Sequence, residues 1–168
     1  PTLDAATVYP GSVLVEGTCL SEGRGTTRPF ELIGAPFLTA RACAARLNAL
    51  DLPGVRFRPA HFQPTFQKWA GAMCGGVQIH VTDRELFEPY CTGISVIAAA
   101  RALRPGSFEW RTPPYEYETE KLPIEILCGC REIPDMILKG ATPDRIRQSW
   151  RQDVASFLMR RAPYLLYD

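Results

Sequence analysis

Long hydrophobic runs are missing from this sequence: none approaches the roughly 20 consecutive apolar residues that a membrane-spanning helix needs. An excess of one charge sign is missing too. Nineteen lysines and arginines against eighteen aspartates and glutamates leave a net charge of +1, so electrostatics favour neither nucleic acid nor an anionic membrane surface. Histidine is scarce, at two residues, and the six cysteines (Cys19, Cys43, Cys74, Cys91, Cys128 and Cys130) are irregularly spaced. One residue separates Cys128 from Cys130 where zinc ligands want two to four, and no second pair or nearby histidine completes them. No metal and no cofactor are therefore expected. The cysteines read as buried free thiols, with one or two disulfides as the alternative for an exported protein. There is no internal repeat and no visible secretory leader. The chain opens on Pro1 without an initiator methionine, which reads as a processed or truncated start, so the missing leader carries no weight.

What is present suits a globular domain. At 168 residues, with 46% hydrophobic and 22% charged residues, the chain fits one domain (1–168) burying roughly two-thirds of its unfolded surface. Its densest polar stretch is residues 16–31, EGTCLSEGRGTTRPFE, which packs three carboxylates, two arginines, three glycines and four hydroxyl residues into sixteen positions. The short apolar run at residues 12–15 before it reads as a buried strand, so the polar segment would leave a strand end, where α/β folds commonly place ligands. Gly23 and Gly25 bracket Arg24 and allow a sharp bend that brings backbone N–H groups near a ligand. Glu22, Arg24, Thr26, Thr27, Arg28 and Glu31 are the candidate functional residues here. The plainer alternative is a surface turn tied by ion pairs.

This stretch, followed by Gly34-Ala35-Pro36, closely resembles the NamZ-type exo-β-N-acetylmuramidases. The resemblance continues through residues 52–57 (LPGVRF), 76–83 (GVQIHVTD) and 164–167 (YLLY), and so covers nearly the whole chain. One departure stands inside the motif: Cys19 occupies a position where the family usually carries asparagine. The resemblance implies the C-terminal half of a bacterial enzyme, secreted or periplasmic. An N-terminal Rossmann-like domain would precede it and has no counterpart in this sequence. Residues 1–11 would then be a former interdomain link. The implied substrate is a peptidoglycan-derived muramic saccharide, from which terminal N-acetylmuramic acid is released. The other class of reading is a non-catalytic carbohydrate- or protein-binding domain.

Taken in order, residues 1–11 read as extended and turn-like. Thr39 can cap a helix over residues 40–50, with Cys43, Leu47 and Leu50 on its apolar stripe. Residues 55–58 alternate as a half-buried strand. The aromatic segment around Phe62, Phe66 and Trp69 reads as core first and as a sugar-stacking platform second. On the strand at residues 77–81, Val77, Ile79 and Val81 face one side while Gln78 and His80 share the other. The resemblance moves His80 toward the substrate cleft. A helix begins near Arg84 with Asp83 as its cap, is interrupted at Pro89, and resumes to Leu103 through an almost wholly apolar run. Residues 108–110 make a short edge. Residues 111–121 are an exposed loop, and residues 124–130 and 132–139 are short helices. A last helix, capped by Thr142, runs to about Arg160 with Ile146, Trp150, Val154, Phe157 and Leu158 on one face, and residues 164–167 dock on the body. The fold class is α/β or α+β, a single compact domain with a small mixed sheet flanked by helices.

Glycoside hydrolysis needs a protonated carboxylic acid at the leaving oxygen and a negative charge or base near the anomeric carbon. Glu22, in the bend, is the candidate catalytic carboxylate of this chain, and the absent N-terminal domain is the other possible source of the acid. Arg24 or Arg28 would grip the lactyl carboxylate of muramic acid or hold a neighbouring carboxylate ionised. Thr26 and Thr27 would meet sugar hydroxyls or the acetamido group, and Lys68 is available to a lactyl or peptide carboxylate.

Overall fold

In the computed structural model, which describes residues 2–167, the chain opens with a helix where an extended segment was expected. The Thr2 side chain accepts a hydrogen bond from the Ala5 N–H at 3.1 Å and caps α1, Leu3–Ser12. A 3-10 turn, Val13–Gly17, follows directly. The apolar run at residues 12–15 is buried as expected, with Leu14 and Val15 wholly inside, but it is helical and not a strand. A run of four residues cannot distinguish the two, and tertiary packing decides. That packing is against α3, Pro89–Leu103. A Cβ on Gly11 would lie 1.7 Å from the Pro89 carbonyl oxygen, and one on Gly93 would lie 2.2 Å from the Gly11 oxygen, so the helices cross backbone to backbone.

Three strands form the sheet. β1 is Leu32–Ala35, β2 Val55–Phe62 and β3 Cys74–Val81, in the order β1-β3-β2. Every pairing is antiparallel, so the small sheet lacks the parallel component of a mixed one. Ile33 stands opposite Val77 and Phe57 opposite Ile79, on the face turned to the core; Arg58 stands opposite Gln78 and Arg56 opposite His80, on the other. Helix α2, Ala40–Asn48, lays Cys43, Ala44 and Leu47 on the core face. Its last residue, Asn48, donates to the Phe57 carbonyl (2.8 Å) and accepts from the Phe57 N–H (3.0 Å), tying the edge strand to the helix. Helix α3 is central to the core, with Ile94 and Ile97 fully buried.

Helix α3 begins at Pro89 and not near Arg84. Proline suits the first helical turn, where no N–H partner is needed. Asp83 instead accepts from the Glu85 and Leu86 N–H groups and shapes the turn before it. The remaining helices are α4 (Pro123–Cys128), α5 (Glu132–Leu138), α6 (Pro143–Ser149) and α7 (Arg151–Arg161). The expected single last helix is thus two, broken at Trp150, whose ring packs edge-on against Tyr90. Ile146 is buried, but no residue of α7 is, and residues 164–167 stand exposed instead of docked. All six cysteines are free thiols, but only Cys43, Cys74 and Cys91 are buried as expected; Cys19 and Cys128 are half-buried and Cys130 is exposed. No described helix is long and apolar enough to cross a membrane.

Candidate functional site

The polar stretch is a closed loop. Ser21 and Gly34 exchange two backbone hydrogen bonds (2.8 and 3.0 Å), and the Phe30 N–H donates to the Glu22 carbonyl at 2.7 Å, pinching the neck. Between these points the backbone bends through positive φ at Gly23, Gly25 and Phe30. Gly25 is doubly required, because at φ +77° a Cβ would also strike the Thr65 hydroxyl oxygen at 1.8 Å. The loop joining β2 to β3 lies across it. The Thr65 N–H donates to the Arg24 carbonyl (3.2 Å), and the Trp69 indole N–H donates to the Cys19 carbonyl (2.6 Å). Phe66 and Trp69 are partly exposed on this loop, whereas Phe62 is buried.

Two groups of candidate side chains result. The first is built around Glu22, which is 2% exposed. Its Oε1 accepts from Arg24 Nε at 2.7 Å. Lys68 Nζ is 2.8 Å from Oε2 but poorly aligned, so that oxygen is held by charge without a well-directed hydrogen bond. Lys68 also donates to the carbonyls of Val15 and Thr18 at 2.9 and 3.1 Å. Arg24 reaches on to Glu16 Oε1 (2.5 Å) and lies over the Phe30 ring, and Glu16 Oε2 accepts from the Tyr115 hydroxyl at 3.0 Å. Burial by itself would raise the Glu22 pKa, but the charges of Lys68 and Arg24 outweigh it and hold the carboxyl below its ordinary value. Burial lowers the Lys68 pKa against the pull of Glu22. Burial and the Glu16 carboxylate push Tyr115 up to about 12, so it stays a hydrogen-bond donor. Two carboxylates and two cations therefore neutralise one another, and Glu22 is an anion at neutral pH.

The second group opens to solvent. Arg28, Glu31, Gln78, His80, Arg84 and Asp4 line a polar pocket of about 270 Å³. Glu31 is buried and accepts from Arg28 Nη1 at 3.1 Å, while Arg28 itself is half exposed. Gln78 accepts from Arg58 Nη2 at 2.5 Å on the same sheet face. Of the residues singled out from the sequence, Glu22 and Arg24 thus belong to the part-buried ion cluster, and Arg28, Glu31 and His80 to the pocket. Thr26 spends its hydroxyl inside the loop, donating to the Gly23 carbonyl (2.6 Å) and accepting from the Arg28 N–H (3.2 Å). Thr27 is exposed on the loop surface. Lys68 as the partner of Glu22, and Tyr115 as that of Glu16, escaped sequence reasoning, since nothing local marks contacts so distant along the chain.

Cys19 sits beside the first group without entering it. Its Sγ accepts from the Glu109 N–H at 3.3 Å and donates to the Ser107 carbonyl at 3.8 Å. An asparagine amide carries the same acceptor and donor in stronger form. Cys19→Asn is therefore expected to be tolerated or to stabilise the chain by about 0.5–1 kcal/mol, the usual net worth of a hydrogen bond. Chemical denaturation of the two proteins checks this; a loss of more than that would mean the thiol fills space an amide cannot.

A small α/β domain whose glycine-bent loop carries a part-buried ion cluster at one end and a polar pocket at the other is the class that fold and site define. The chain belongs to the family described as Exo-beta-N-acetylmuramidase NamZ, C-terminal, which matches residues 7–167. It is 43% identical over 167 residues to the peptidoglycan beta-N-acetylmuramidase NamZ of Bacillus subtilis (strain 168), a match spanning 99% of this chain and 38% of that protein. Two crystal structures of DUF1343 family proteins from Bacteroides fragilis NCTC 9343 are similar in fold. One has a TM-score of 0.81 at 27% identity, covering 97% of this chain and 42% of its own. The other has a TM-score of 0.69 at 28% identity, covering 100% and 42%. The chain thus spans about two-fifths of the length of these relatives.

Proposed function

We propose that this chain forms one wall of the cleft of a glycosidase that releases terminal N-acetylmuramic acid from peptidoglycan fragments. A preceding Rossmann-like segment of the longer polypeptide forms the other wall. The observation that carries this reading is the open polar pocket beside the motif loop, in a chain of exo-β-N-acetylmuramidase family membership. Muramic acid differs from N-acetylglucosamine by a lactyl ether bearing a carboxylate. A planar arginine fork suits that anion. Arg28 is the motif arginine with its fork available, because its ion pairs to Glu31 and Asp4 all run through Nη1. Arg24 has its fork committed to Glu16 and Glu22. His80 and Gln78 meet the sugar's hydroxyl or acetamido groups, Thr27 adds a hydroxyl at the rim, and Glu31 orients Arg28.

Glu22, ionised and enclosed, is unsuited to protonating a leaving group. In this reading it positions the loop, and the general acid comes from the other wall. A peptidoglycan-derived substrate suits a secreted or periplasmic setting. Because catalysis needs groups held from both walls, the 168-residue chain alone should release N-acetylmuramic acid from a β-linked chromogenic muramide at least about a hundredfold more slowly than the intact polypeptide. Comparable turnover by the chain alone would place the acid within it and overturn the division of labour.

A further inference from the structure

The end of the chain is built as an arm with nothing beneath it. No described residue from 151 onward is buried. Helix α7 has 11 residues, too few for a helix to hold in water on intrinsic propensity. Val154, Phe157 and Leu158 recur at the spacing of an amphipathic stripe, yet are 47%, 54% and 45% exposed. Leu165, Leu166 and Tyr167 follow at 51%, 88% and 85%. Between helix and tail, Phe157, Met159, Arg160, Pro163 and Tyr164 frame an open notch of about 520 Å³. Helical stability in proteins comes mainly from packing such a stripe, so the arm requires an occupant.

We infer that residues 151–167 are a docking strap that packs on the part of the longer polypeptide preceding this domain. The family match extends to residue 167, so the arm belongs to the shared domain. One solved relative matches 100% of this chain, arm included, yet that match is only 42% of its own length. The family description places the matched domain at the C-terminal end, so the additional length lies ahead of it. A second copy of this chain is a poorer occupant. The arm carries Arg151, Arg160 and Arg161 against the single acid Asp153, and none of these enters an ion pair among the described residues. Two arms laid against each other would bring like charges together. The occupant is therefore an apolar surface of the preceding segment with acidic groups at its rim, seating a side chain in the notch.

The inference uses the length of the relatives and the exposure of the arm, and does not rest on muramidase chemistry. Hydrogen exchange of the amides of residues 154–166 tests it, because exchange reads neither turnover nor sugar binding. In the 168-residue chain these amides should exchange near the rate of an unstructured peptide. In the intact polypeptide they should be slowed at least about a hundredfold, as packing on a stable surface confers. Phe157→Glu together with Leu166→Glu should abolish that protection while leaving the melting temperature of the 168-residue chain unchanged. Equal exchange in the two proteins would overturn the proposal. So would protection that appears in the short chain as its concentration rises, the signature of a second copy. A gene encoding nothing ahead of residue 1 would also overturn it.

Discussion

Lys68→Met is expected to destabilise the folded chain by about 3 kcal/mol, the lower end of the range for removing one partner of a buried ion pair. The low end applies because Lys68 keeps 22% of its side chain exposed while Glu22 keeps 2%. The loss has two sources. Glu22 would remain buried with Arg24 as its only close cation among the described residues, and the carbonyls of Val15 and Thr18 would lose their ammonium donor. Urea unfolding of Lys68→Met, Glu22→Gln and the double variant should show the double losing less than the sum by about 1–3 kcal/mol, as for groups in direct contact. Additive losses would mean that the two residues act separately.

The same pair sets a pH dependence. Glu22 has a folded pKa below its ordinary value of 4.5, so the unfolded chain takes up the proton first as pH falls. Its stabilisation is complete above about pH 4.5 and is lost as pH drops through the folded value. Glu22→Gln should flatten that acid limb. A limb unchanged by the substitution would assign the acid sensitivity to other carboxylates.

Under the proposed reading, Arg28→Lys in the intact polypeptide is expected to lower the preference for muramic over glucosamine substrates, measured as the ratio of kcat/KM, by roughly 10–100-fold. That corresponds to about 1.4–2.7 kcal/mol, the scale of a hydrogen bond to a charged group. Lysine keeps the charge and loses the fork. Arg24→Lys should do the reverse. Its guanidinium joins Glu22, Glu16 and the Phe30 ring, so the melting temperature falls while the ratio holds. A changed ratio in Arg24→Lys with an unchanged one in Arg28→Lys would exchange their roles.

Alternation made β2 and β3 legible, since Val77 and Ile79 against Gln78 and His80 admit only one facing once a core exists. The apolar run of α3 was legible for another reason, its length and near-continuous hydrophobicity. The first helix was not. The burial of the 3-10 turn that follows it was apparent from Leu14 and Val15, but the helix depends on the contact of Gly11 with Pro89, which no local pattern announces. The motif loop stood out by density alone, and the division of its residues did not. Whether an arginine meets a ligand or a carboxylate depends on Lys68 and Tyr115, which approach from the β2–β3 loop and from a segment that reads as solvated. The tail at residues 164–167 is apolar enough to suggest docking, and this domain offers it no surface.

The claim that this chain forms a wall of a muramic-saccharide cleft is tested most directly by titrating the isotope-labelled 168-residue chain with N-acetylmuramic acid and following its backbone amide resonances. Shifts should concentrate at residues 27–31, 78–80 and 84, with weaker or no shifts from N-acetylglucosamine, and Arg28→Lys should reduce them. Shifts centred elsewhere, for example on the apolar groove between Leu50 and Leu138, or equal responses to the two sugars, would contradict the account.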